Sequence, residues 1–163
     1  MKQLSTYVQE KLIINKDYRE VKIVVKSFEE LRNIIVDRYN KLGPGTEQKP
    51  IDFNDIDVSH IRYFCKGLLG LFEGPKFKYI DISDWDVSKV SNMSGMFYEC
   101  NELKFIGDIS GWDVKNVTNM KYMFAFCKKF NQDLSCWNVS NVIYKDSIFD
   151  NCPIKEEYKP KFK

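Results

Sequence analysis

Apolar and polar residues in the second half of the chain follow one pattern that comes round three times. Ile82-Ser83-Asp84-Trp85-Asp86-Val87-Ser88-Lys89-Val90 returns as Ile109-Ser110-Gly111-Trp112-Asp113-Val114-Lys115-Asn116-Val117, and again as Leu134-Ser135-Cys136-Trp137-Asn138-Val139-Ser140-Asn141-Val142. A second block trails each copy: Met96-Phe97 with Cys100, Met123-Phe124 with Cys127, and Ile148-Phe149 with Cys152. The tryptophans stand 27 and then 25 residues apart, and the cysteines keep the same two spacings. Two markers moving in register identify tandem repeats. The two extra residues of the longer copy fall in the connection before its strand, between Phe97 and Trp112. A worn copy precedes these, from Ile56-Asp57-Val58-Ser59-His60-Ile61 to Leu71-Phe72. Its four extra residues equal about one α-helical turn, which predicts a longer helix there.

Each copy reads as a short strand, a turn and a short helix. The Asp-Ile-Ser-x-Trp stretch supplies the strand, and Asp/Asn-Val-x-x-Val the turn. Ser91 and Thr118 then stand where N-caps belong, ahead of apolar residues at i, i+3 and i+4 (Met93, Met96, Phe97; Met120, Met123, Phe124). The last copy lacks this cap, and Pro153 ends the pattern.

Residues 1–55 differ in kind. Leu4, Tyr7, Val8 and Leu12 have helical spacing, and Val21-Lys22-Ile23-Val24-Val25 is β-branched enough for a strand. Ser27-Phe28-Glu29-Glu30 is a capping box opening a helix with Leu31, Ile34, Ile35 and Leu42 on one face, which Gly43-Pro44-Gly45 ends. The expected organisation is a helix–strand–helix cap over 1–55, repeats over 56–152, and a polar tail over 153–163.

The motif in 81–100, DISDWDVSKVSNMSGMFYEC, with KKFNQDLSCWNVSNV over 128–142, resembles the BspA-like leucine-rich repeat family, known from mycoplasma and gut-bacterial surface proteins. The resemblance spans about 57–152. It implies an α/β fold: a right-handed, LRR-like strand–helix solenoid of about four repeats behind an α/β cap, binding proteins without doing chemistry. Short stand-alone arrays of this kind also look like those of gut phages and mobile elements.

Charge and cysteine usage narrow the reading. Against 25 Lys+Arg stand 23 Asp+Glu, a net charge of +2, which favours neither a nucleic-acid footprint nor an acidic tail. Five cysteines, an odd number, suit a reducing compartment. The start Met1-Lys2-Gln3-Leu4-Ser5 lacks an apolar signal region, and no run approaches a membrane span. A cytoplasmic location is expected.

Candidate chemistry is sparse. Cys100, Cys127 and Cys152 lie a whole repeat apart, not at the two-to-four-residue spacing of zinc pairs, so buried thiols are expected. The lone His60 has no second histidine or recognisable nucleophile elbow for a triad, and no phosphate-binding glycine motif occurs. The tryptophans and methionines are expected in the core. Asp81, Asp108 and Asp133 form a column beside Ser83, Ser110 and Ser135. These residues satisfy turn backbone or face a partner, and together with Lys78 they are the candidate partner-binding positions. Neither catalytic residue, metal nor cofactor is expected. The expected function is a non-enzymatic module presenting a rigid repeat surface to a protein. In a phage, its target would be a host defence protein such as a CRISPR effector. A bacterial surface or adhesin-type structural protein is the alternative.

Overall fold

The computed structural model describes residues 22–66, 69–72 and 76–162. The first expected helix, with Leu4, Tyr7, Val8 and Leu12, lies outside them, as does Val21.

Ahead of the repeats come a strand and a helix. Strand β1, Ile23–Val24, pairs in parallel with β3, Ile56–Asp57. Helix α1, Phe28–Leu42, opens at Ser27, whose hydroxyl accepts the Glu30 amide at 3.2 Å, while Glu30 accepts the Lys26 amide at 2.9 Å. Leu31, Ile34 and Ile35 bury one helical stripe. Gly43, at φ 75°, ends the helix and donates to the Tyr39 carbonyl. Strand β2, Ile51–Asp52, pairs in parallel with β6, Ile80–Asp81, and β4, Cys65–Lys66, pairs antiparallel with β5, Leu69–Gly70.

The strand–helix solenoid expected from the repeats is not what forms. Among the described residues α1 is the only α-helix, and it precedes the repeats; the strands are two residues long. Where helices were expected after Ser91 and Thr118, the chain makes consecutive turns. Met96, Tyr98 and Cys100 donate three residues back, to the carbonyls of Met93, Gly95 and Phe97. The intervening amides leave their own copy. Met93, Gly95, Phe97 and Glu99 donate to the carbonyls of Asn119, Lys121, Met123 and Ala125 at 2.8–3.0 Å. One copy on, Met120, Tyr122, Phe124 and Phe126 donate to Tyr144, Asp146, Ile148 and Asp150 at 2.7–3.2 Å. With the Lys121 amide held by Asn119 Oδ1, every amide from Met120 to Cys127 has a partner.

The physical reason is a left-handed residue in every fourth place. Gly95 and Glu99, then Tyr122 and Phe126, then Ser147 and Asn151 have φ between 53° and 62°. A left-handed L-residue costs roughly 1–2 kcal/mol and stops α-helix growth; here the copy-to-copy hydrogen bonds offset it. The i, i+3, i+4 apolar spacing misled because consecutive turns of three also bury Met93, Met96 and Phe97 together. The four extra residues of the first copy lie at the β4–β5 hairpin, not in a longer helix.

Successive copies are joined in parallel through single bridges that run Tyr63, Asn92, Asn119, Tyr144. Inside, Phe72, Phe97, Phe124 and Phe149 form one column of stacked rings, with centroids 5.3, 5.2 and 5.7 Å apart. The tail closes over the last copy: Leu134 donates to Tyr158 O at 2.8 Å, and Tyr158 and Phe162 pack on the core.

One comparison isolates the left-handed strain. A Cβ on Gly95 meets only ordinary contact, 3.7 Å from Tyr98 Cβ, so Gly95→Ala is expected to lose about 1 kcal/mol through φ alone. Gly111 has open space and no left-handed φ, so Gly111→Ala should gain about 0.4–1 kcal/mol. Urea unfolding of the two variants checks the opposite signs.

Candidate functional site

The residue types that could carry chemistry are drawn into the scaffold. Trp85, Trp112 and Trp137 are all buried, at 3%, 6% and 5% exposure, so they are core and not stacking platforms. Indole N–H groups reach back to the preceding copy: Trp85 donates to Phe53 O and Trp137 to Ile109 O, each at 2.9 Å. Trp112 Nε1 is buried with no hydrogen-bond partner among the described residues.

The cysteines behave alike. Cys127 Sγ donates to Phe97 O at 2.9 Å and Cys100 Sγ points to Phe72 O at 3.8 Å. The hydrogen bond with Cys100, together with burial, pushes the Cys127 thiol far up, and burial raises Cys152 to about 11. The thiolate is the reactive form. With iodoacetamide at pH 8, exposed Cys136 is therefore expected to label first and Cys127 last, read by peptide mass spectrometry. The raised Cys152 pKa also stabilises the fold below the thiol's unfolded value near 9; that contribution fades as pH climbs toward 11.

The aspartate–serine column is a set of turns closed by side chains. Asp81 Oδ1 accepts the Ser83 amide at 3.1 Å and its hydroxyl at 2.7 Å; Asp108 accepts the Ser110 amide at 3.0 Å, and Asp133 that of Ser135 at 2.9 Å. For Asp81, burial raises the pKa, but hydrogen bonds from Ser83 and Asn54 outweigh it and leave the carboxyl low. Asp108 and Asp133 are exposed and lowered by the same serine contacts. Asp81 is half-buried, Asp108 and Asp133 are exposed, and Lys78 is exposed five residues before Ser83. His60 Nδ1 lies 3.3 Å from Ser59 Oγ at the surface. Among the described residues, no three His, Cys, Asp or Glu side chains are grouped to hold a metal ion, and no helix is long and apolar enough to cross a membrane.

Leu42, expected on the apolar face of α1, is instead exposed at the helix end, and sequence reading missed the exposed Tyr63, Phe105, Tyr122, Ile143 and Tyr144. Tyr63 and Tyr144 occupy the bridge position that Asn92 and Asn119 hold in the inner copies. That substitution of Asn by Tyr at both ends was visible in the aligned copies.

These features define a stacked-repeat protein whose copies are tied to one another by backbone hydrogen bonds. Residues 66–157, more than half of the chain, match the family described as "Mycoplasma protein of unknown function, DUF285", and the chain belongs to that family. No curated protein and no solved structure matches the chain.

Proposed function

We propose that the chain is a non-enzymatic protein-interaction module that presents a rigid, turn-built surface to a protein partner. The observation that carries this reading is how the repeated side chains are employed. The recurring Trp, Phe, Met and Cys residues fill the core, and the recurring Asp residues close turns. Outside the core, positions that vary from copy to copy, such as Asp84, Gly111 and Cys136, are exposed and held on a backbone whose amides are bonded across copies. Such a surface offers pre-organisation, which lowers the entropy cost of association.

The repeat motif resembles BspA-like repeats, which supports this reading, and we propose a cytoplasmic location, in keeping with the free thiols. In a phage-borne chain this binding would take the form of occluding a host defence protein, a CRISPR effector for example. Lys78, Asp81, Ser83, Asp108, Ser110, Asp133 and Ser135 are the positions first proposed to meet the partner.

Affinity capture with the full chain from its native cells tests the proposal. One protein recovered in stoichiometric amount, and reconstituted from purified components, is expected. Turnover of a small molecule by the chain, with no stoichiometric protein partner, would overturn it.

A further inference from the structure

The net charge of +2 conceals a segregation along the stack. The segments 76–80, 101–105, 128–132 and 153–155 hold six lysines and one glutamate. The turns that follow, 81–89, 108–116 and 133–141, hold six aspartates and two lysines. Lys76, Lys78, Lys104, Lys128, Lys129 and Lys155 are all exposed.

A backbone hydrogen bond sets two of these lysines side by side at the head of the row. Lys104 N donates to Lys78 O at 2.8 Å, so the two backbones lie side by side, about 4.8 Å apart as neighbouring strands do. Farther along the stack, Asn131 Oδ1 accepts the Lys155 amide at 3.0 Å. Phe130 turns back to Cys127 O as Leu103 does to Cys100 O, so exposed Lys128 and Lys129 lie in the turn of their copy that corresponds to the one before Lys104. Phe105, 40% exposed, interrupts the row with an apolar ring.

At its first rung the row runs into a cleft. Pro44 O accepts both Lys78 N at 2.9 Å and Tyr79 N at 3.1 Å. Leu42, Pro44, Pro50 and Ile51 line an open hollow of about 230 Å³, with Lys49 on its rim. Leu42 is 61% exposed and has no packing role that would account for it.

We propose that this row and cleft form one docking site for an acidic protein segment that carries a large apolar side chain. The apolar residue enters the cleft as the anchor, and carboxylates lie along the lysines. The inference rests on the protein-binding reading above and names its site and the partner's chemistry. A single-stranded nucleic acid fits the row less well, since it needs a succession of open aromatic faces for its bases and Phe105 is a single exposed ring. The Tyr79 ring is already covered by Lys104 Nζ, 5.8 Å from the centroid.

The test uses a random twelve-residue peptide library displayed on phage and selected on the immobilised full-length chain. Enriched peptides should be net negative with one Phe, Leu or Trp. Measured by fluorescence anisotropy, their affinity should fall at least tenfold for Lys78→Glu/Lys104→Glu and several-fold for Leu42→Asp. Both changes are at exposed positions, and an unaltered circular dichroism spectrum shows that the variants fold. Asp113→Lys, in the acidic turns, should not weaken binding. No enrichment, enrichment without acidic bias, or affinity indifferent to the lysine changes would overturn the site, as would tighter binding of a twelve-nucleotide dT oligomer. If cellular capture yields a partner while peptide selection fails, the docking site is wrong and the interaction module stands. If both fail, both readings fall.

Discussion

Phe124→Ala is expected to lower the free energy of unfolding by about 3–5 kcal/mol, the range for a large buried aromatic. Phe124 is fully buried and belongs to the ring column, stacking on Phe97 at 5.2 Å and Phe149 at 5.7 Å. It also packs on Phe130 at 4.3 Å. Removing the ring opens a cavity at two copy-to-copy interfaces at once. In a stack whose units touch only their neighbours, a weakened interface uncouples what lies beyond it. The last copy, 143–152, should then loosen before the rest. Phe124→Leu, which leaves a smaller void, should lose distinctly less. Urea titration of the three proteins decides the matter; a loss for Phe124→Ala below about 1 kcal/mol would remove the ring column from the account of stability.

Gly107→Ala carries the second large effect, about 2–4 kcal/mol, summing a left-handed strain of roughly 1–2 kcal/mol with a steric clash. Gly107 has φ 77°, and a Cβ there would meet Asp81 Oδ1 while lying 3.1 Å from Ser83 N and Cβ. These are the atoms of the turn that Asp81 and Ser83 close. The new methyl therefore drives the Asp81 carboxylate from its hydrogen bonds as well as straining its own backbone. Comparison with Gly95→Ala, which has the strain without the clash, separates the two contributions in the same unfolding assay.

The repeat period, the buried residues and the α1 boundaries could be read from residues alone. Trp spacing, the capping box at Ser27 and the glycine after Leu42 each have a local physical cause. The helices predicted inside the copies could not be separated from turns in that way. Both conformations bring Met120, Met123 and Phe124 to one side, and only the left-handed φ of Tyr122 and Phe126 distinguishes them. A tyrosine and a phenylalanine give no warning of that conformation; the glycine aligned with Tyr122, Gly95, and the asparagine aligned with Phe126, Asn151, were the available hints. The lysine row escaped notice for another reason. Lys78 and Lys104 are 26 residues apart and meet only through the copy-to-copy bond, so charge counted along the chain shows balance. The aspartate–serine column, by contrast, was evident from register alone, and its turn hydrogen bonds follow from Asp two residues before an amide.

The binding surface depends on copies locked together by alternate amides, and native-state hydrogen exchange reads those amides one by one. Met120, Tyr122, Phe124 and Phe126 donate into the next copy and should exchange slowly. Ser147, Phe149 and Asn151 hold the equivalent place in the last copy; their amides have no backbone acceptor among the described residues and should exchange orders of magnitude faster under the same conditions. Protection of Ser147, Phe149 and Asn151 equal to that of Met120, Tyr122, Phe124 and Phe126 would contradict the ladder and restore helices to the repeats, because helical amides bond within their own copy.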